Sequence, residues 1–293
     1  MNKEFNYSFI IPHKNCPDLL QRCVDSIPER DDVQVIVVDD NSDEGKKPAL
    51  KERKNLQVIL LDAEHSKGAG RARNVGLKHA EGKWLLFADA DDYYTDYLPT
   101  LLDKYVNDDT TDIVYLNACM FDEKGTITPH KTDRLITNYT KGVKGAEMDL
   151  RYSLWTPWSR MVKKSVVEKY KIRYDELPAG NDLMFGLKCS GFSKTIKVEK
   201  TVIYKYYRPS VGSCTDAARK KMFESRLALR GEMINFYKEV GYSSNLNLLD
   251  VIYRATRVNH SSFIVALNKY RKYLNLYNIS FFSDIRRFIF KRL

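Results

Sequence analysis

Apolar positions in the first half of the chain come in short bursts separated by amphipathic stretches. YSFIIP (7–12) and VQVIVVDD (33–40) begin as continuous β-branched and aromatic runs, the pattern of strands buried on both faces. Between them Leu19, Leu20, Cys23, Val24 and Ile27 recur at helical spacing. After residue 40 the pattern predicts a helical linker, a strand at LQVILLD (56–62) and a helix over 70–80. A strand at KWLLFADAD (83–91), a helix over 96–106 and a strand at DIVYLNA (112–118) follow. Strands and helices alternating at this length predict an α/β fold with a mostly parallel sheet flanked by helices. Residues 119–215 read as mixed short elements, and 216–293 as a helical C-terminal extension. The expected organisation is therefore two regions, 1–215 and 216–293, the first divisible into halves at 1–118 and 119–215.

In parallel sheets ligands gather beyond the C-terminal strand ends. Three polar groups stand at such ends: Pro12-His13, Asp39-Asp40 and Asp89-Ala90-Asp91-Asp92. The aspartates could serve solvated Asx turns. They could equally hold a hard divalent cation, which takes carboxylate oxygens and keeps open positions for phosphate. KGAGRARNVG (67–76) brings Lys67, Gly68, Arg71 and Arg73 between the acidic clusters, either as a plain helix start or as charge neutralisation for a diphosphate. No GxxxxGK[ST] phosphate loop occurs, and IIPHKNCPD replaces a dinucleotide-binding glycine motif after the first strand.

Composition narrows the classes further. Of 293 residues 43% are hydrophobic, ordinary for a globular protein, and no apolar run reaches membrane-spanning length. The N-terminus is expected to open with a strand and not an export signal. Five cysteines without a CxxC pair read as free thiols of a reducing compartment. Eight of the ten net positive charges fall in residues 251–293, where nine basic residues face the single acid Asp284. FFSDIRRFIFKRL (281–293) places Phe281, Phe282, Ile285, Phe288 and Ile289 on one helical face. That segment could pack as an ordinary helix or lie on an anionic membrane surface. Nucleic acid is not expected as a partner, because no recognised binding module accompanies the charge.

FIIPHKN, VIVVDDNS, KGAGRARNVGLKHAEGKWLLFADADD and WTPWSRMVKKSVVEKYKIRYDELPAGNDLMFGLKCSG together resemble, in order and spacing, the family 2 inverting glycosyltransferases of GT-A fold. The resemblance spans about residues 5–215. It implies a UDP-sugar donor carrying a hexose or N-acetylhexosamine, Mn²⁺ or Mg²⁺ on a DxD motif, and single displacement at the anomeric carbon. The implied setting is bacterial surface polysaccharide (capsule) synthesis on a glycan or lipid-linked glycan acceptor. The implied location is cytoplasmic, peripheral to the inner membrane face.

By the same resemblance Pro12 and His13 line the nucleotide, and Asp40 meets the uracil ring with Asp39 beside it. Arg73-Asn74 lies next to the nucleotide-sugar. Asp89 and Asp91 form the DxD, Asp91 as the direct metal ligand, with Ala90 between them and Asp92 near the sugar. Asp182 matches the general base, and Asn181 replaces the usual Glu before it. Read from its own neighbours, Asp182 could instead cap the helix that follows. Trp155 and Trp158 are either core residues or an acceptor platform. Ser210 stands where the family often has a histidine metal ligand. The rival classes are a sugar-nucleotide pyrophosphorylase, for which the first strand lacks a glycine-rich basic loop, and a non-catalytic nucleotide-sugar-binding or membrane adaptor protein.

Overall fold

A computed structural model of the chain describes residues 4–177, 179–208, 223–258 and 263–290. The chain divides into two compact units, Met1–Val211 and Gly212–Leu293. Residues 215 and 216, where the sequence boundary was drawn, and Ser210 lie outside the described residues.

The first unit is built on one sheet. β1 (Tyr7–His13) pairs in parallel with β2 (Val33–Asp39) and β4 (Trp84–Phe87), and β2 pairs in parallel with β3 (Leu56–Leu60). Every residue of β1, β2 and β4 is buried, as their unbroken apolar runs require. Beyond β4 the sheet becomes mixed. Antiparallel β8 (Arg160–Lys163) joins it to β6 (Ile113–Phe121), which pairs in parallel with β9 (Ile196–Tyr207). A two-residue strand, β5 (Tyr93–Tyr94), closes antiparallel on β9.

Alternate residues of β1 face two cores. Tyr7, Phe9 and Ile11 join α1 (Pro17–Asp25) and α3 (Leu98–Tyr105) on one side, while Ile10 joins α2 (Ala69–His79) and α7 (Leu183–Phe192) on the other. α2 lies so close to β1 that a Cβ on Gly76 would sit 2.4 Å from Ile10 Cγ2.

Residues 41–55 form no helix, which corrects the expected helical linker. Asn41, Gly45 and Asn55 all take positive φ, which helix geometry excludes. Side-chain anchors hold the segment instead: Arg53 donates to the carbonyls of Val24, Ile27 and Pro28, and Asn55 Nδ2 to those of Arg30 and Val33.

The second unit comprises α8 (Phe223–Glu239), α9 (Leu249–Val258), α10 (Phe263–Leu276) and α11 (Phe281–Phe290) among the described residues. Its core gathers Leu227, Ile234, Leu248, Tyr270 and Leu274. Asp284 is wholly buried within it, accepting from Leu248 N (2.8 Å), Leu249 N (3.0 Å) and Tyr270 Oη (2.9 Å). The lone acid of α11 thus caps the start of α9, while Phe281, Phe282 and Ile289 remain exposed. Among the described residues no helix is long and apolar enough to cross a membrane.

Candidate active site

The site lies where β1, β2 and β4 end. At the end of β2 the Asp39 carboxylate accepts from Ser42 N (2.9 Å), Ser42 Oγ (2.5 Å) and His13 Nδ1 (2.7 Å). Cys16 N–H donates to His13 Nε2 (3.2 Å), which fixes the tautomer with its proton on Nδ1. His13 and Asp39 are each 2% exposed. They form an internal brace at the ends of β1 and β2. Asp40 holds the start of α2: both carboxylate oxygens accept from Gly68 N–H (3.1 and 3.2 Å). Gly68 sits there at φ +88, a conformation that favours glycine. Pro12 and Ala90 are buried strand-end positions.

The basic stretch of α2 meets the segment before α7. A Cβ on Gly70 would lie 2.1 Å from Asp175 O, so only glycine permits this approach. Lys67 and Arg71 pair with Glu176 (3.9 and 3.3 Å). Asn74 spends its whole amide on the Tyr174 backbone, donating to its carbonyl and accepting from its N–H (both 2.9 Å). It is a clamp between α2 and this segment.

Arg73 joins the two carboxylate-bearing loops. Its Nη2 donates to Asp89 Oδ1 (2.5 Å) and its Nη1 to Asn181 Oδ1 (2.9 Å), with the guanidinium 5.3 Å from the Tyr174 ring centre. Arg73 is 5% exposed, so its role is a strut between loops. Asn181 likewise holds its own loop, accepting from Asp175 N–H through its carbonyl (3.1 Å) and donating Nδ2 to Leu177 O (3.3 Å).

The turn after β4 is held by residues that carry no motif. Tyr204 Oη accepts from Asp89 N–H (2.9 Å) and donates to Asp92 Oδ2 (2.8 Å), and Tyr207 N–H donates to Asp92 Oδ1 (2.6 Å). Asp92 is wholly buried. It latches this turn to β9. Arg22 Nη2 donates to Asp91 O (2.7 Å) and lies over the rings of Tyr93 and Phe121.

The Asp91 carboxylate has no hydrogen-bond partner from another residue among the described residues. Burial, then the Asp89 charge, push it up to about 6. A carboxylate pushed up by burial and by a neighbouring charge, with Arg22 acting only weakly against that push, suits a further cation. Its hard oxygens fit Mg²⁺ or Mn²⁺ in chemistry. Among the described residues no group of three or more His, Cys, Asp or Glu side chains is arranged to hold a metal. A metal here would need oxygens from elsewhere, as phosphate provides.

Asp182 occupies the N-cap position of α7 yet makes no side-chain capping bond. Burial pushes its carboxyl above the usual range; Arg73 pulls it back and Asp89 adds to the push. The first turn of α7 presses on Trp155: a Cβ on Gly186 would lie 2.4 Å from Trp155 O. Arg160, wholly buried, staples this seam by donating to the carbonyls of Leu154 and Gly186 and to Ser190 Oγ. Trp155 is half-buried with Lys131 Nζ 4.0 Å from its ring centre. Trp158 is 3% exposed, stacked on Tyr204 (4.9 Å) and Tyr206 (5.4 Å). It packs as a core residue, the first of the two readings its sequence left open.

A family model for glycosyl transferase family 2 matches residues 8–170. The chain is 23% identical over 253 residues to the UDP-Glc:α-D-GlcNAc-diphosphoundecaprenol β-1,3-glucosyltransferase WfaP of Escherichia coli, covering 85% of this chain and 92% of that protein. The S. aureus TarS 1–349 structure with UDP-GlcNAc is similar in fold: TM-score 0.63 at 18% identity, over 93% of this chain and 80% of that one. The mannosyltransferase PcManGT of Pyrobaculum calidifontis, with GDP-Man and Mn²⁺, gives a TM-score of 0.55 at 17% identity, over 94% and 75%.

Proposed function

The chain belongs to glycosyl transferase family 2, which matches more than half of its length, and from that premise we propose an inverting, metal-dependent transfer from a UDP-sugar to a glycan acceptor. The donor carries a hexose or N-acetylhexosamine, and the acceptor is a lipid-linked glycan of a bacterial surface polysaccharide. The UDP-Glc and diphosphoundecaprenol in the name of WfaP and the UDP-GlcNAc bound to TarS support this choice of donor and acceptor.

The observation that carries the reading is the Arg73 strut. One guanidinium binds Asp89 on the donor side and Asn181, the neighbour of Asp182, on the other. It ties together the two loops that carry Asp91 and Asp182, whose carboxylates accept no hydrogen bond from another residue among the described residues. Asp182 takes the proton of the acceptor hydroxyl as that oxygen attacks the anomeric carbon. The bond from that carbon to the diphosphate oxygen breaks, UDP departs, and an α-linked donor gives a β-linked product. Asp91 and Asp89 would hold the divalent cation, which supplies neutralisation of charge on the departing diphosphate. Lys67 is the exposed cation nearest in sequence to the glycine at the start of α2, and meets the same diphosphate. Trp155 remains as the acceptor-side ring.

UDP release from a panel of UDP-sugars, with Mn²⁺, Mg²⁺ or EDTA, tests this. Metal-dependent release from one donor is expected, reduced about 100-fold or more in Asp91→Ala. Absence of both release and nucleotide-sugar binding under every metal condition overturns it and favours an adaptor role.

A further inference from the structure

The second unit contains a cavity of about 460 Å³ between the end of α8, the loop after it and α11. Lys238, Arg286 and Arg287 line it together with Ser243, Ser244 and Ser283, and no acidic residue does. Lys238 and Arg287 have no carboxylate partner among the described residues, and two like charges lining one concavity repel one another unless water or an anion stands between them. The acid nearest in sequence to Arg287, Asp284, does not neutralise it, because its carboxylate is consumed by Leu248, Leu249 and Tyr270 inside the core. Serine hydroxyls interleaved with guanidinium and ammonium groups are the donor set that suits phosphate oxygens. Two positive charges without a carboxylate partner match a phosphate monoester or diphosphate better than a single carboxylate.

The helix that lends Ser283, Arg286 and Arg287 to the cavity also carries bare aromatic rings: Phe282, 81% exposed, immediately precedes Ser283, and Phe281 beside it is 48% exposed. Exposed aromatic rings on the same helix as a cation-lined pocket are an arrangement that suits a headgroup phosphate with lipid beneath it.

We infer that this cavity is a phosphate-binding site, separate from the sugar-nucleotide site, that takes a phosphomonoester or diphosphate group borne by a lipid or by a soluble molecule. The inference does not depend on the transferase reading, and its test uses no activity measurement.

Binding of inorganic pyrophosphate to the full chain is measured by calorimetry. Binding to phosphatidylcholine vesicles with and without phosphatidic acid is measured by sedimentation. The variants are Lys238→Ala/Arg287→Ala and Lys238→Glu, with Arg271→Ala/Lys272→Ala as a pair of equal charge loss on exposed positions of α10. The expected result is a loss of about tenfold or more in pyrophosphate affinity for the cavity variants and little change for the control pair. Melting curves show which variants remain folded, and Lys238→Glu, at an exposed position, keeps the test alive if the double variant unfolds. Phe282→Ser separates the sources. Vesicle binding lost with pyrophosphate affinity retained identifies a lipid headgroup, whereas both retained identifies a soluble phosphate, and either outcome upholds the site. Equal losses in the cavity and control pairs reduce the effect to net charge and overturn the proposal. Failure of the wild-type chain to bind either probe overturns it as well.

Discussion

The turn after β2 and the turn after β4 both place consecutive aspartates at the mouth of the sheet, and the fold treats them differently. After β2, Asp39 accepts three hydrogen bonds and Asp40 holds the first N–H of the helix approach. After β4, Asp92 is equally consumed, Asp89 shares one oxygen with Arg73, and the Asp91 carboxylate has no donor from another residue among the described residues. Across the crevice Asp182 repeats the Asp91 condition at a helix start where capping would have been easy. Saturation by the protein separates carboxylates that brace the turns from those that the proposed reaction assigns to a ligand. Keeping a half-buried anion without donors from other residues costs stability, a cost that the proposed function would explain.

The widest gap is predicted at Asp182. Asp182→Asn should lower kcat by about 10²–10⁴, the usual contribution of a positioned base, with nucleotide-sugar binding unchanged. A pH profile sharpens this. The base works only when deprotonated, and burial raises its pKa. The acid limb of kcat/KM should therefore lie above the ordinary carboxylate range, activity falling as pH drops through it, and the limb should vanish in Asp182→Asn. A raised folded pKa also means that stability is lost as pH rises through it, so Asp182→Asn should melt higher than wild type at neutral pH. A variant that melts lower while keeping activity would make Asp182 a structural residue and break the comparison.

A smaller gap separates two neighbours. Asp92→Ala strands the Tyr204 hydroxyl and the Tyr207 N–H in a buried setting and should cost about 2–3 kcal/mol in denaturant unfolding. Asp91→Ala strands no donor from another side chain and should leave stability unchanged or improved without metal. Equal destabilisation of the two would refute the division between spent and unspent carboxylates.

This division is what the sequence could not display. The strand ends were legible because β1, β2 and β4 are unbroken apolar runs, and residues beyond them must surface together. The linker after β2 misled because its charged pattern mimics a helix face, while Gly45 and two asparagines at positive φ make it a pinned turn. Which aspartate is spent depends on partners remote in sequence. Tyr204 lies 112 residues from Asp92, and Asn181 lies 108 from Arg73. Nothing in the spacing of YKYY marks a tyrosine that holds the turn after β4. Trp158 matched a motif, but only the packing of β9 shows that its faces are covered. Arg22 and Arg160 left a fainter signal: each stands among apolar residues of a short element, Arg22 beside Cys23 and Val24 and Arg160 before Met161 and Val162, and cations so placed usually hold something.

A third acidic turn, remote from the crevice, gives the mildest test. Asp108 accepts from the N–H and hydroxyl groups of both Thr110 and Thr111 and from Lys197 Nζ (2.8 Å). Burial alone would raise its pKa, but the bonds from Lys197 and Thr111 outweigh it and hold the carboxyl well below the usual range. A folded pKa lowered beneath the unfolded one contributes stability that is complete above about pH 4 and lost as pH falls through the folded value. Asp108→Ala should therefore cost about 1–2 kcal/mol at pH 7, with the difference from wild type shrinking steadily in acid. Asp182→Asn should show the opposite trend, its advantage over wild type growing from acid towards neutral pH. Melting the two variants across one pH series sets a carboxylate satisfied by the protein against one left for chemistry, and parallel curves would mean that hydrogen-bond saturation does not distinguish them.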